Sequence, residues 1–348
     1  MAIAAPLHRP SPPSAPPVWP RIPALPRPRG SLSDVLIGTL TAPRRHLDGV
    51  PRAAGASDDD LHLALYLCYE HHYGGFPQSD PAWEWEPSLI ALREDIEGVF
   101  LDRLRAAVGS VGPVPPGDVV SRLWEMARST GGVSLSGWVL AHAGLEHVQE
   151  MAVHRSAYQL KEADPHTWAI PRLGGRAKAA MVAIQADEYG AGEEQGMHCR
   201  LFADTMRALG LDPTPNHYLD AIPGATLATT NLISLFGLHR RWRGALVGHL
   251  ALFEMTSTGP MARYAAALRR LGVHESACRF YDVHVEADEV HQFLAADEMV
   301  AGLIAAEPDL GGDVVFGASA LQTVEAALSG SLLSCWAAGG SSLRRPPS

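Results

Sequence analysis

Long apolar stretches, separated by short polar or glycine- and proline-rich segments, run through most of this chain. Within them apolar residues recur every three to four positions or fill every turn, which is typical of half-buried and buried helices. The clearest stretch opens at Asp58–Asp60, acids that suit a helix N-terminus, and stays largely apolar to His72. Convincing alternation of apolar and polar residues, the pattern of a strand, is absent. We therefore predict an all-α protein with one principal helical bundle.

The same pattern predicts where the helices begin and end. The predicted helices are 31–40, 58–72, 88–108, 118–129, 134–163, one that carries 179–188, 198–209, 225–235, 240–256, 260–271, 274–306 and 319–336, with a short helical turn at 218–221. Residues 1–30 contain ten prolines and no acidic residue, and because proline removes backbone donors we predict a disordered arm. Residues 31–57 are predicted as a transitional segment, 58–340 as the folded domain and 341–348 as a flexible tail.

Composition narrows the functional classes. The chain has 348 residues, of which 47% are hydrophobic and 19% charged, so it can bury a substantial core. A net charge of −10 argues against a nucleic-acid or anionic-membrane surface, and no apolar run reaches the ~20 residues of a bilayer span. The four separated cysteines include no C-x-x-C pair, which argues against structural zinc and a disulfide framework. We expect a cytoplasmic protein that acts on a small molecule, with no nucleic-acid or membrane partner; a homodimer stays open.

The most distinctive polar pattern lies in the predicted helix 274–306. His284, Asp288 and His291 are spaced i, i+4 and i+7, so a helix would place all three on one stripe. Two imidazoles and a carboxylate in this arrangement suit a divalent metal that accepts nitrogen and oxygen ligands. Taken alone, the stripe is explained equally well by surface hydrogen-bond pairs.

Further candidates lie on other predicted helices. Glu70 ends the first long helix, where a carboxylate opposes the helix dipole and needs a compensating partner unless it is solvated. Glu188 and His198 flank a segment with three glycines, which indicates a kink, a loop or a close approach of another group. A second stripe is either a metal face or a satisfied polar seam; it consists of Glu146, His147, Glu150 and His154.

Several longer motifs follow one another along the chain. They are Tyr69-Glu70-His71-His72-Tyr73-Gly74-Gly75-Phe76, Trp83-Glu84-Trp85-Glu86-Pro87, Lys161-Glu162-Ala163-Asp164-Pro165-His166, Ile170-Pro171-Arg172-Leu173, Asp187-Glu188-Tyr189-Gly190 with His198, and His284-Val285-Glu286-Ala287-Asp288 through His291. Together they resemble the haem-oxygenase-like diiron oxidases and oxygenases, and more closely their actinobacterial iron-containing redox enzyme branch. The resemblance covers roughly 58–340, and the spacing of the last two motifs is specific.

The resemblance implies a haem-oxygenase-like helical bundle holding two non-haem Fe(II)/Fe(III) ions, with O2 as co-substrate. The ligand positions that it implies are Glu70, Glu188, His198, His284, Asp288 and His291. Some members have one further carboxylate three residues before the histidine of the second ligand helix, where this chain has Gln195 beside Glu194. This departure implies a second iron that is weakly held or completed by water.

Other polar residues are expected to orient the ligands or to contact the substrate. They are Glu162, Arg172, Asp187, Tyr189, Glu194 and Gln195. Plain structural roles compete with this interpretation: Glu162 in a surface ion pair, Arg172 anchoring a turn, and Asp187 and Tyr189 solvated or packed beside Glu188. No catalytic residue beyond the metal ligands is expected.

The resemblance implies an iron-dependent oxidoreductase in secondary metabolism that acts on an amino acid, an amine or a fatty acid. The implied reactions are N-oxygenation, desaturation and oxidative C–C cleavage. The main alternative is a non-catalytic metal- or ligand-binding partner protein. A ferritin-like centre would need paired Glu-x-x-His motifs, whereas the stripe at 146–154 offers only a Glu-x-x-x-His spacing. A haem protein with one axial histidine leaves the 284–291 stripe unexplained, and a mononuclear zinc hydrolase strands three ligands.

Overall fold

The computed structural model describes residues 25–43, 46, 47, 49–129 and 134–344. In these ranges the chain is helical and contains no strand, apart from an isolated bridge between Tyr189 and Met197. The predicted all-α fold is therefore confirmed. Residues 1–24 of the predicted arm and 345–348 of the predicted tail lie outside the described residues. Residues 341–344 of the predicted tail are described, and Ser342 and Leu343 among them are buried.

The helices are joined by connections of varied length, several of which contain a 3₁₀ turn. They are α1 (Ser31–Leu40), α2 (Asp58–Glu70), α3 (Pro87–Val108), α4 (Val119–Arg128), α5 (Leu135–His142), α6 (Leu145–Gln159), α7 (Asp164–Thr167), α8 (Gly175–Glu188), α9 (His198–Ala208), α10 (Gly224–Leu238), α11 (Arg243–Arg270), α12 (Arg279–Phe293), α13 (Ala301–Ala306) and α14 (Gly311–Ala337). A π-helical segment, Leu294–Val300, joins α12 to α13. Within the described ranges, every helix is too short or too polar to cross a membrane.

Helix α11 is the central element of the bundle. It packs along α14 and along α12, and it also contacts α5 and the π-helical segment. Helices α2 and α10 pack against each other, and each is buried on all sides over most of its length, from Asp60 to Glu70 and from Thr226 to Gly237. Such all-round burial explains why both helices carry apolar residues on every face.

Two glycines determine how closely α11 and α14 approach. A Cβ atom on Gly248 would overlap the carbonyl oxygen of Val314, and one on Gly317 would overlap that of Ala245. The two backbones are therefore in direct contact at both points, on opposite sides of the interface. This contact fixes the position of α11, and with it every side chain that α11 carries into the core.

Several predicted helix boundaries are wrong. The last helix begins at Gly311 and not at 319, because its packing on α11 outweighs the low helix propensity of its glycines, and 218–221 is a turn outside any helix. The predicted helix 134–163 is two helices, because the N–H of Gly144 donates to His147 Nδ1 at 3.1 Å and starts α6 afresh. Helix α11 runs through Pro260 without a break, since packing on α12 and α14 outweighs the lost backbone hydrogen bond. The predicted helix 274–306 begins only at Arg279 and is interrupted by the π-helical segment.

We expect Gly317→Ala to destabilise the protein by about 1–3 kcal/mol, because the added methyl group must push α11 and α14 apart. Urea unfolding followed by far-UV circular dichroism measures the change. Gly330→Ala is the matched control: it lies in the same helix and a Cβ there meets open space, so alanine should be neutral or stabilising by up to ~1 kcal/mol. Equal effects at the two positions would contradict the close contact.

Candidate metal centre

Seven ionisable side chains from five segments meet inside the bundle, and none is more than 7% exposed. They are Glu162 in the turn after α6, Glu188 at the end of α8, His198 at the start of α9, Glu254 in α11, and His284, Asp288 and His291 on α12. We refer to these seven residues as the carboxylate–histidine cluster. They lie around or beside a small cavity of about 10 Å³, whose apolar wall includes Leu250 and Phe253.

One half of the cluster is formed by Glu162, Glu188, His198 and His284, whose ligand atoms lie within 4.8 Å of one another. Glu188 Oε2 is 2.8 Å from His198 Nδ1, and Glu162 Oε1 is 3.7 Å from His284 Nε2. The Nδ1–H of His284 donates to the Phe280 carbonyl at 2.8 Å. Because a carbonyl only accepts, this bond keeps a proton on Nδ1, so Nε2 faces the cluster and becomes a ligand atom once it loses its own proton.

The other half shares Glu188 and adds Glu254 and His291. His291 Nδ1 lies 3.4 Å from Glu254 Oε2 and 3.8 Å from Asp288 Oδ1. Its Nε2–H donates to Asp187 Oδ2 at 2.9 Å, so the ring is held by a carboxylate on the side away from the cluster. The Ser257 hydroxyl donates to Asp288 Oδ2 at 2.5 Å and orients that carboxylate.

Four buried atoms of the cluster make no hydrogen bond of good geometry among the described residues, although the second and third lie 2.8 Å apart: Glu162 Oε2, Glu188 Oε2, His198 Nδ1 and His291 Nδ1. A buried polar atom without a partner costs roughly 1–3 kcal/mol, and four such atoms facing one another indicate that a bound group completes them. Mixed carboxylate and imidazole donors are the set that iron and similar transition metals prefer. The residues present therefore fit metal ions.

Backbone features next to the cluster direct its ligands inward. The three-glycine segment between Glu188 and His198, for which a kink, a loop or a close approach of another group was predicted, forms a tight turn: Gly190 has φ +65° and a Cβ there would lie 2.5 Å from the Met197 nitrogen. This turn returns the chain so that the end of α8 and the start of α9 face each other. Ala163, which follows Glu162, has φ 76°, a sparsely populated conformation for a residue with a Cβ.

Burial and proximity shift the proton affinities in the cluster. Burial alone would lower the pKa of His284, but the facing carboxylate of Glu162 raises it to about 10. Burial opposes the charge on His291 in the same way, yet its contact with Glu254 raises its pKa to about 9. Burial and the neighbouring Glu254 carboxylate raise the pKa of Asp288 to about 8. Without metal, these three side chains are therefore protonated at neutral pH.

Glu70 is not brought into the cluster. Its buried carboxylate pairs with Lys161 and accepts a hydrogen bond from Asn216 Nδ2 at 3.1 Å. Lys161 is thus the partner that a carboxylate at a helix C-terminus requires. Glu194 and Gln195, in the loop before α9, are exposed and also lie apart from the cluster.

Three further residues that were predicted to orient the ligands or to contact the substrate each make different contacts. Asp187 holds His291, as described above. Arg172 donates to the carbonyls of Gly237 and Leu238 and so anchors the end of α10. The Tyr189 hydroxyl donates to Asp164 Oδ1 at 2.8 Å and fixes the turn before α7 rather than a metal ligand.

The second stripe predicted as a possible metal face, residues 146–154, is a satisfied polar seam. Glu150 accepts hydrogen bonds from Trp336 Nε1 at 2.9 Å and from the backbone of Ser342 at 2.8 Å. The ring nitrogens of His154 contact Thr226 Oγ1 at 2.6 Å and Ser342 Oγ at 3.0 Å. This seam ties α6 to the end of the chain.

Sequence reasoning missed Glu254 and assigned Glu162 only an orienting role. Glu254 is the sole Asp, Glu, Lys or Arg between Arg243 and Arg263. A single charge in an otherwise uncharged buried helix needs a partner, and that isolation was the available signal.

Comparison with known families agrees with the chemistry of this cluster. The family model described as "iron-containing redox enzyme" matches residues 149–326, just over half of the chain. The chain belongs to the iron-containing redox enzyme family. The matched range includes all seven residues of the cluster. The description of the family, an iron-containing redox enzyme, agrees with the carboxylate and imidazole donors of the cluster.

A named relative supports the same assignment. The chain is 23% identical over 150 residues to nitrosourea synthase of Streptomyces achromogenes subsp. streptozoticus. The match covers 43% of this chain and 32% of that protein. The chain is thus similar to about a third of the length of that relative.

For this member of the iron-containing redox enzyme family, we expect metal binding to release protons. Metal must displace the protons held by His284, His291 and Asp288, whose raised pKa values are given above. The protonated form dominates below these values, so affinity should rise as pH increases from about 6 to 9. Titration calorimetry of Fe(II) under anaerobic conditions, in buffers with different ionisation enthalpies, counts the protons. A binding enthalpy independent of the buffer would contradict this expectation.

Proposed function

We propose that the carboxylate–histidine cluster binds two iron ions that share Glu188, and that the protein uses O2 to oxidise a small organic substrate. The observation that carries the proposal is the division of the cluster into two groups with Glu188 in both. Charge supports it as well. The four carboxylates carry −4 when ionised, which two Fe(II) ions neutralise, whereas one ion would leave −2 buried at a large desolvation cost.

Each group would supply one ion with oxygen and nitrogen donors. Glu162, His198 and His284 would hold the first, while Glu254, Asp288 and His291 would hold the second. When bound, iron would supply the redox chemistry that O2 requires. The surrounding chain keeps the ligands in place: the Phe280 carbonyl orients His284, and Ser257 and Asp187 orient Asp288 and His291.

The substrate reaction is one of N-oxygenation, desaturation or oxidative C–C cleavage. The name of the relative, nitrosourea synthase, supports a substrate that contains nitrogen. Since this chain matches only about a third of that relative, the substrate itself does not carry over. The alternative is a partner protein that binds metal without catalysis, and it predicts iron binding without consumption of O2.

Anaerobic loading with Fe(II), followed by mixing with O2, tests the proposed centre. We expect two irons per chain, O2 consumption and a transient visible absorption band. Glu254→Ala should lower the iron content to about one per chain, because it removes a ligand from the second group only. Glu146→Ala, an exposed acid of the polar seam, is the control and should keep two irons. One iron in the wild type, or unchanged iron in Glu254→Ala, would overturn the proposal.

Glu70→Gln separates the ligand set inferred from sequence from the set that the structure brings together. Since Glu70 pairs with Lys161 outside the cluster, we expect the variant to keep two irons. It should lose about 1–3 kcal/mol of stability, because a nearly buried lysine loses its counter-charge. Iron analysis and urea unfolding measure the two effects. Loss of iron without loss of stability would restore Glu70 as a ligand.

A further inference from the structure

A second cavity lies directly beside the carboxylate–histidine cluster. It has a volume of about 280 Å³ and is enclosed by α5, α6, α11, α12 and α14. Tyr158, Phe253 and Ser257 line both this cavity and the small one inside the cluster. Ser257 in turn contacts Asp288. A molecule in the larger cavity would therefore be separated from the cluster by no more than these side chains.

The size and surface of this cavity suit a small amphiphilic molecule. Its volume is just below the roughly 300–1,000 Å³ of pockets for drug-sized ligands. Leu252, Phe253, Met261 and Leu321 give it an apolar side, while several serines, glutamines and tyrosines give it a polar side.

Among the described residues that line the cavity, only Arg155 and Glu325 are charged. They form a bidentate ion pair with two N–O distances of 2.7 Å between α6 and α14. Their side chains are 23% and 25% exposed, so both remain accessible. The wall of the cavity is therefore neutral overall, but it offers a cation and an anion side by side.

A third polar group in the wall lacks a partner. The side-chain oxygen of Gln159, which is one turn beyond Arg155 on α6, is buried and accepts no hydrogen bond from the described residues. A buried acceptor without a donor is costly, so a ligand that brings an N–H group would satisfy it.

We propose that this cavity is the substrate site and that it selects a zwitterion of the α-amino-acid type with an aliphatic body. The ligand carboxylate would contact Arg155, and its ammonium group would contact Glu325 and Gln159. A ligand with a net charge would lose its hydration without gaining a free counter-charge, because Arg155 and Glu325 already neutralise each other. The proposal rests on the proposed function for its choice of site, since it takes the neighbouring cluster as the place of reaction.

Three probes with similar aliphatic bodies test this selection: L-norleucine, hexanoate, which lacks the ammonium group, and pentylamine, which lacks the carboxylate. Titration calorimetry on the full chain, both metal-free and loaded with Fe(II) under anaerobic conditions, measures their affinities. We expect norleucine to bind at least about tenfold more tightly than either singly charged probe. Equal or tighter binding of hexanoate or pentylamine, or no saturable norleucine binding at millimolar concentrations, would overturn the proposal.

Two variants should shift the selection in opposite directions. Glu325→Gln leaves Arg155 without its counter-charge, so hexanoate should gain at least about tenfold relative to norleucine. Arg155→Gln should favour pentylamine in the same way. Glu298→Gln is the matched control, because it breaks an exposed Arg–Glu ion pair with Arg176 outside the cavity. Glu298→Gln should keep the wild-type preference for norleucine over the two singly charged probes. If Glu325→Gln and Arg155→Gln also keep that preference, the proposal is contradicted.

The iron content of each protein separates this proposal from the proposed function. Neither Arg155 nor Glu325 belongs to the carboxylate–histidine cluster, so both variants should bind as much iron as the wild type. A chain that binds no iron but keeps the expected selection would overturn the diiron function and leave the ligand site standing. A chain that binds two irons without the selection would overturn the ligand site alone.

Discussion

The main physical constraint on this helical bundle is that it must hold a group of ionisable side chains away from water. Four carboxylates and three imidazoles share one buried volume, and separating them from water is expensive unless each charge has a partner. Without metal, protons fill this role, as the raised pKa values of His284, His291 and Asp288 indicate. Metal ions can take the same role at higher pH, so one set of side chains serves both folding and metal binding.

The rest of the bundle can be understood as the frame that brings these charges together. Helix α11 carries Glu254, and its position is set by the contacts of Gly248 and Gly317 with the facing backbones. Helix α12 carries a complete stripe of ligands, and the π-helical segment after it packs against α8, which ends at Glu188. A small shift of α11 or of α12 would separate the two halves of the cluster. Close packing of α11 on α14 at Gly248, on the same helix as Glu254, therefore supports the geometry within the cluster.

Most of what could be predicted from the sequence rests on patterns within a single helix or segment. The spacing of His284, Asp288 and His291 is a property of one helix, and the glycines between Glu188 and His198 signal a turn within one segment. Glu254 was missed because its partners come from α8 and α12, and periodicity within one helix says nothing about which other helices face it. Glu70 was included through family resemblance, but its carboxylate faces Lys161. A helix that continues through Pro260 likewise depends on packing between elements, which outweighs local propensity.

The two adjoining cavities differ in their electrostatics, and this difference has a chemical consequence. The cluster is rich in carboxylates and attracts cations, so a cationic substrate without a counter-charge of its own would compete with metal for the same acids. In the larger cavity the Arg155–Glu325 pair presents no net charge. A ligand held at that pair keeps its charges paired there, and only its uncharged body extends toward Tyr158 and Ser257. Such a division would let an enzyme bind a charged metabolite beside a metal centre without disturbing the charge balance on which that centre depends.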